Sequence, residues 1–349
     1  MKLNIISAVP DDQRFIWEVK VFLSNLRSHD YSKLARILVY KNPGNKGKND
    51  KLWEELESSF PESKFFFYQD KDNLINLINI FNYIPLLRLY VLKKHFEEYD
   101  LSEAIFYCDS DIIFHKKLDF EQFLQDDINY LSWTGSPDRT SNYIWSEYLD
   151  SKEKDVLPKK LESFRKRDIL NEMGELCGIS RKVIVDNKLN TGGAQYLLKG
   201  IDSQFWDDCL NSCMNIRYFL NREINPEFFE SENTGYQSWC ADMWAVLYNL
   251  WKRNKITSCP KELDFAWATD ELSVLENTYI LHNAGVTSDS VIRRRIDKEE
   301  IDAPAFYKGT WTSKSPIEEK TYLESIINNP ISSLYCTSIY VKEILKSYE

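Results

Sequence analysis

Short runs of apolar, strand-forming residues alternate with amphipathic helical segments over the first third of this chain. The runs cover 3–9, 35–40, 64–68 and 104–107, and the last helix before the fourth run is predicted over 84–99. No tight hairpin signal joins successive runs, so they are predicted to pair in parallel through intervening helices. The sequence therefore predicts an α/β fold with a doubly wound, mostly parallel sheet, helical insertions and a helical C-terminal extension.

The chain is long enough for one large domain with an extension, since it has 349 residues. We place the domain over 1–314, with halves at 1–115 and 116–314, and the extension over 315–349. The charged stretch 150–187 is predicted to be a helical insertion over the sheet, and with 200–232 it is expected to form the side that receives an acceptor.

Charge, cysteine spacing and hydrophobic runs argue against a nucleic-acid-binding, a secreted and a membrane-spanning protein. The formal charge is −10, which argues against a chain whose affinity comes from neutralising nucleic-acid phosphates. The seven cysteines form no C-x-x-C pair, which favours a reducing compartment. The first ten residues are interpreted as a strand rather than a secretion signal, and no stretch approaches a membrane span. We therefore expect a soluble, cytoplasmic protein.

The segment Asp109-Ser110-Asp111 directly follows the apolar run 104–107. Two carboxylates at the carboxyl end of a parallel strand lie where open α/β sheets bind ligands. Such a pair can hold a divalent cation, which in turn can hold a diphosphate. The alternative is a solvated turn after a strand, and the spacing alone leaves both interpretations open.

Three later segments also carry residue types that could bind a ligand or take part in catalysis. Asn190-Thr191-Gly192-Gly193-Ala194-Gln195 is predicted to be a loop, in which glycines would let backbone approach a sugar or simply form a turn. Asp242 near the start of a helix could contact a sugar, act as a base, or only complement the helix dipole. His282, in His282-x-x-Gly285 after a late strand, could ligate a metal or cap the strand end.

Four features follow one another along the chain: Asp109-Ser110-Asp111, the Asn190 segment, Asp242 and His282-x-x-Gly285. This ordered set resembles nucleotide-sugar glycosyltransferases of the GT-A fold. The specific resemblance is to glycosyltransferase family 8, the glycogenin and bacterial galactosyltransferase group. The resemblance spans roughly residues 1–290. It implies that Asp109, Asp111 and His282 bind Mn²⁺ or Mg²⁺. It further implies a set of donor contacts and a catalytic set. The implied donor contacts are Ala8, Val9, Pro10, Tyr40, Arg88, Asp109, Ser110, Gly192, Gly193 and Lys308, and the implied catalytic residues are Asp242, Asn190 and Gln195.

Two departures from that family are visible. The family's late motif continues after His282 to a lysine that contacts the diphosphate, and that lysine is missing here. Lys308 is the candidate to replace it. The separation between Asn190 and Asp242 is also longer than the family usually shows.

The resulting expectation is a metal-dependent glycosyltransferase that uses a nucleoside-diphosphate sugar. The resemblance favours a UDP-sugar and retention of configuration, while the sequence does not reveal the acceptor, and a modified nucleic acid stays among the possibilities. One alternative is a carbohydrate-binding protein that keeps the fold without transfer or only hydrolyses the donor. A second is a metal-dependent phosphohydrolase, although the N-terminal Asp pair and the later Gly-Asp-x-x-x-Asp segment typical of that class are missing.

Overall fold

The computed structural model describes residues 2–99, 103–134, 168–224, 238–284, 291–296 and 299–349. These form two compact units that interleave along the chain. Unit 1 comprises Met1–Lys2, Asp70–Phe106 and Glu121–Pro260, and unit 2 comprises Leu3–Gln69, Tyr107–Phe120 and Lys261–Glu349. The part of the predicted insertion at 150–167, the end of the 200–232 segment and Gly285 lie outside the described residues. The division at residue 314 stays a prediction.

Helices and strands alternate from the amino terminus, as expected. The helices are α1 (Gln13–Ser28), α2 (Asp50–Ser59), α3 (Leu74–Phe81), α4 (Leu86–Glu98), α5 (Ile169–Cys177), α6 (Arg181–Asp186), α7 (Ser203–Phe219), α8 (Ala241–Lys252), α9 (Lys320–Asn328) and α10 (Cys336–Lys346). The strands are β1 (Leu3–Pro10), β2 (Ala35–Lys41), β3 (Lys64–Gln69), β4 (Ala104–Tyr107), β5 (Ile112–Phe114), β6 (Asn129–Trp133), β7 (Gly192–Leu198), β8 (Thr257–Ser258), β9 (Phe265–Trp267), β10 (Ile280–His282), β11 (Val291–Ile296) and β12 (Glu299–Pro304).

The main sheet has seven strands in the described residues and is mostly parallel. In unit 2, β1 pairs in parallel with β2, and β2 pairs in parallel with β3. In unit 1, β6 pairs antiparallel with β7 and parallel with β8. The first seven residues of β1 are buried, which explains its nearly continuous apolar sequence. The predicted α/β class and mostly parallel sheet are confirmed.

Two local expectations were wrong. His282 was expected to follow its strand, but it is the last residue of β10, because it pairs with Ile112 of β5 in a small separate sheet of order β5-β10-β9. The loop expected over 190–195 is also wrong from Gly192 onwards. Strand β7 begins at Gly192, since its backbone pairs with Trp133 of β6.

The C-terminal segment is helical, as predicted, and contributes to the core of unit 2. Side chains from α9 and α10, including Leu323, Tyr340 and Ile344, form one buried cluster with Trp17 of α1 and Ile113 of β5. Burial of this apolar surface stabilises the helices against unfolding, because short helices are marginal without packing. The segment therefore supports the elements that carry the candidate site.

Candidate functional site

Two carboxylates and one imidazole meet in unit 2. Asp109 and Asp111 lie between β4 and β5, and His282 ends β10. The His282 Nε2 atom is 3.6 Å from an oxygen of Asp109 and 3.3 Å from an oxygen of Asp111. One ligand atom from each of the three residues lies within 4.8 Å of the others. The structure thus brings together the three residues that the sequence predicts as metal ligands.

Backbone pairing holds the three side chains in place. The amide of Cys108 donates to the carbonyl of Ile6 in β1 at 3.0 Å, which fixes where the acidic turn begins. The amide of Asn283 donates to the carbonyl of Asp111 at 2.9 Å, so the end of β10 is tied to the same turn. The cluster therefore depends on ordinary strand geometry.

The His282 ring is also oriented by aromatic neighbours. Trp267 of β9 stacks on it with an interplanar angle of 14°, and Phe265 approaches edge-on at 5.3 Å between centroids. His282 and Trp267 are paired across the β9–β10 ladder, so backbone register sets this stack. A ring held on one face by an indole keeps its nitrogen directed at the carboxylates.

The donor set fits a divalent cation. Ligand atoms about 2.1 Å from an octahedrally coordinated cation lie about 3 Å apart on adjacent corners. The separations of 3.3 and 3.6 Å between His282 Nε2 and the two carboxylates are close to that spacing. Carboxylate oxygens suit Mg²⁺ and Mn²⁺, and the imidazole nitrogen is compatible with the softer of the two. Asp109, Asp111 and His282 would hold such an ion, with positions left for other oxygen ligands.

Lys308 forms an ion pair with the oxygen of Asp111 that does not face His282. Burial works against the charged ammonium, but Asp111 and Glu18 outweigh it and raise the pKa of Lys308. Burial likewise opposes ionisation of Asp111, yet Lys308 and His282 hold the pKa of that carboxyl well below its usual range. Asp111 is therefore an anion with one oxygen on a lysine and the other toward His282.

Sequence reasoning missed Glu18, a carboxylate on α1 that is 1% exposed. It accepts a hydrogen bond from the Ser110 hydroxyl at 3.0 Å and one from Arg14 Nε at 2.9 Å. Burial, the largest influence, raises the pKa of Glu18, while Arg14 and Lys308 oppose that rise. The available signal was an acidic residue on the apolar face of a helix, four positions after an arginine.

In unit 1, the structure pairs Arg88 with Asp242. Arg88 Nη2 lies 2.8 Å from one oxygen of Asp242, and the Tyr83 hydroxyl donates to the other oxygen at 2.7 Å. Asp242 occupies the first turn of α8, and Arg88 lies in α4. Sequence reasoning missed Tyr83, whose pKa is raised well above its usual value, first by burial and then by Asp242. Both oxygens of Asp242 thus have a donor within this unit.

The residues of the Asn190 segment have local structural roles in unit 1. A Cβ on Gly192 would lie 2.3 Å from the Ser132 carbonyl oxygen, so only glycine fits beside β6. Gln195 is fully buried and accepts a hydrogen bond from the Ser132 hydroxyl at 2.7 Å. Asn190 lies just before β7, and its carbonyl accepts from Thr257.

The same segment contains an irregularity in its strand pairing. The register between β6 and β7 shifts next to Gly193, and Ala194 has a φ of +66°. A left-handed backbone is unfavourable for a residue with a side chain, so the bulge is held by the surrounding pairs. The predicted catalytic roles of Asn190 and Gln195 and the predicted donor contacts of Gly192 and Gly193 stay predictions.

The remaining predicted donor contacts lie at the strand ends of unit 2. Ala8 and Val9 are buried in β1, and Pro10 pairs with Tyr40 where β1 and β2 end. Tyr40 is 2% exposed, and its carbonyl accepts from the amide of Asp11. These residues stand at the carboxyl edge of parallel strands, as the resemblance implies, and their contact with a donor stays a prediction.

No protein-family model and no curated protein sequence matches the chain. Several solved structures are similar to it, and three glycosyltransferases are among them. The apo bifunctional glycosyltransferase WbbM is 12% identical, with 99% of this chain and 51% of that one covered and a TM-score of 0.40. The galactosyltransferase LgtC, in complex with donor and acceptor sugar analogues, is 10% identical, with 81% and 88% covered and a TM-score of 0.36. The glycosyltransferase GlyE of Streptococcus pneumoniae is 10% identical, with 99% and 64% covered and a TM-score of 0.41.

This chain therefore spans about half the length of WbbM and less than two thirds of GlyE. All three similarities have TM-scores below 0.5, so a functional assignment depends on the side chains of the site. Among the described residues, no helix is both long and apolar enough to cross a membrane.

Proposed function

We propose that this protein is a metal-dependent glycosyltransferase that moves a sugar from a nucleoside-diphosphate donor to an acceptor. The observation that carries the proposal is the convergence of Asp109, Asp111 and His282 at the carboxyl end of β4, with ligand atoms within 4.8 Å of one another. This edge of an open α/β sheet is the usual place for a ligand. An Asp-x-Asp pair with a histidine supplies the donors that a diphosphate-bound cation requires.

The reaction requires charge stabilisation on the leaving group. As the bond from the anomeric carbon to the diphosphate breaks, positive charge develops on the sugar ring and negative charge on the diphosphate. A bound cation supplies Lewis-acid stabilisation of that negative charge. Lys308, which is held beside Asp111, supplies a second positive charge on the same side, in place of the lysine that the late motif lacks.

The finer assignments belong to the same proposal. The donor is a UDP-sugar and configuration is retained, as the resemblance to family 8 implies. The cation is Mn²⁺, because the donor set combines carboxylates with an imidazole. Arg88 and Asp242 contact the donor sugar. The pairing of both Asp242 oxygens with Tyr83 and Arg88 supports a positioning role over that of a general base.

We further propose that the protein acts in a reducing compartment such as the cytosol. All seven cysteines are free thiols, and six of them are buried. Disulfides are typical of oxidising compartments.

The experiment is donor hydrolysis without an acceptor, measured as released nucleoside diphosphate over a panel of nucleotide sugars. Each donor is tested with Mn²⁺, with Mg²⁺ and with a chelator. Asp111→Asn and His282→Ala are tested in parallel, and Asp127→Asn, an exposed aspartate in unit 1, is the matched control. We expect release from one donor in the presence of metal, lost in the first two variants and unchanged in D127N.

The alternatives give different results. A binding protein without turnover would bind one donor with metal in calorimetry and release no diphosphate with any acceptor glycan. A phosphohydrolase would release inorganic phosphate from simple phosphomonoesters. Failure of any nucleotide sugar to bind, with or without Mn²⁺, would contradict the proposed function.

A further inference from the structure

Glu18 is a buried carboxylate that the transfer reaction as described does not use. It lies on the core-facing side of α1, where Asn25 is the other polar residue among buried side chains that are otherwise apolar. Placing a charge in such a position is costly, and replacing a buried ion pair by apolar side chains is often neutral or stabilising. Stability alone therefore gives little reason for a glutamate here, and its contacts point to another reason.

Those contacts lead to the metal ligands from two directions. Ser110 stands between Asp109 and Asp111, and its hydroxyl donates to Glu18 Oε2 at 3.0 Å. Lys308, the ion-pair partner of Asp111, also interacts electrostatically with Glu18. Glu18 is thus hydrogen-bonded to the turn that presents the carboxylates, and it acts electrostatically on the lysine that pairs with one of them.

The charge balance of this cluster explains why these interactions matter. Lys308 is attracted to Asp111, the same group that a cation would use. Glu18 is a second carboxylate that acts on the ammonium, since Asp111 and Glu18 both stabilise the charge of Lys308. Arg14 Nε lies 2.9 Å from Glu18 and favours the charged form of this buried glutamate against the effect of burial.

We propose that Glu18 is a positioning residue of the metal site, which orients the Asp109–Asp111 turn through Ser110 and acts with Asp111 in the electrostatic attraction of Lys308. This inference rests on the proposed metal-dependent function. The role is indirect, because Glu18 contacts neighbours of the ligands rather than the cation. Residues that orient metal ligands typically alter metal affinity by 10-fold to 100-fold when they are replaced.

The decisive variant is Glu18→Gln, which keeps the shape of the side chain and removes its charge. A glutamine can still accept from Arg14 and donate to the Ser110 hydroxyl, so the turn stays tied to α1. Lys308 then has Asp111 as its remaining carboxylate attraction in this cluster and competes more strongly with a cation. We expect Mn²⁺ affinity to fall about tenfold.

Two further variants separate the two contacts. Ser110→Ala removes the hydrogen bond and leaves the Glu18 carboxyl in place, so we expect Mn²⁺ affinity to fall about threefold, the value of one hydrogen bond. In a Lys308→Met background the competing ammonium is gone, and E18Q should then cost less than it does in the wild type. An equal cost in both backgrounds would overturn the part assigned to Lys308.

The measurement is the Mn²⁺ dissociation constant without donor, from electron paramagnetic resonance of free Mn²⁺, with the melting temperature recorded for each variant. The matched control is Glu343→Gln, in which the lost carboxylate accepts from Asn25 at 3.2 Å elsewhere in unit 2. E343Q should bind Mn²⁺ like the wild type. Wild-type affinity in both E18Q and S110A, with transfer intact, would overturn the positioning role alone. A wild-type protein that binds no Mn²⁺ would instead contradict the metal-dependent function itself.

Discussion

The cluster around Asp111 in unit 2 and the cluster around Asp242 in unit 1 each pair a buried aspartate with a basic side chain, but their charges are balanced differently. Around Asp242, one oxygen accepts from Tyr83 and the other pairs with Arg88. Around Asp111, one oxygen pairs with Lys308, while the other faces His282 next to a second carboxylate. The first arrangement is satisfied by the protein, whereas the second holds like charges close together and, on the proposed function, would be completed by a cation.

This difference separates the effects of mutation in the two clusters. A group whose partners are all within the protein contributes mainly to the free energy of unfolding, because its loss leaves a partner unpaired. A group that faces like charge contributes mainly to binding, because the protein gains little from holding carboxylates together. Four variants test this distinction.

The largest effect is expected from Asp111→Asn. An amide cannot supply the anionic oxygen that faces His282, so Mn²⁺ affinity and donor hydrolysis should each fall by more than about 100-fold. Isothermal titration with Mn²⁺ and the release assay measure the two quantities. A D111N protein that retains wild-type Mn²⁺ affinity would place the cation elsewhere.

Arg88→Met should act on stability rather than on metal binding. It leaves one oxygen of the mostly buried Asp242 without its guanidinium partner, which should lower the unfolding free energy by about 2 kcal/mol. Urea denaturation measures that cost, and Mn²⁺ titration should show wild-type affinity. A loss of Mn²⁺ affinity in R88M comparable to that in D111N would break the distinction between the clusters.

Tyr83→Phe tests the same cluster with a smaller change. The variant removes one donor from Asp242 and keeps the ring, so the unfolding free energy should fall by about 1 kcal/mol. Thermal or urea unfolding measures the change. A stability equal to the wild type would show that the Tyr83 hydroxyl is not needed to hold Asp242.

Trp267→Leu should have the smallest effect, confined to unit 2. Loss of the indole that stacks on His282 frees the imidazole to rotate, so Mn²⁺ affinity should fall about threefold. Trp133→Leu, at a position 42% exposed in unit 1, is the control and should leave Mn²⁺ affinity unchanged. An Mn²⁺ affinity of W267L equal to that of the control would show that Trp267 does not position His282 for the metal.

Sequence patterns predicted the parts of this molecule that depend on neighbouring residues. Asp109 and Asp111 were predictable because they directly follow a buried strand. Arg88 was predictable only through the resemblance, and Lys308 only as a replacement for a missing residue. Glu18 and Tyr83 escaped notice because their importance comes from contacts with residues far along the chain, 92 positions away for Ser110 and 159 for Asp242.

The Gly192 segment shows why local signals can mislead. Two adjacent glycines usually indicate a turn, and a loop was predicted there. The glycine at 192 is instead required by the approach of β6, whose Ser132 carbonyl fills the space of a side chain. Such a requirement depends on strand pairing, which the sequence of one strand does not contain.

The most direct test of the central claim is an Mn²⁺ titration of the wild-type protein and of the D109N/D111N double variant, each with and without UDP. We predict one saturable Mn²⁺ site per wild-type chain, with higher affinity when UDP is present, and no such site in the double variant. Equal Mn²⁺ binding by both proteins, or no saturable binding by the wild type with UDP present, would contradict it.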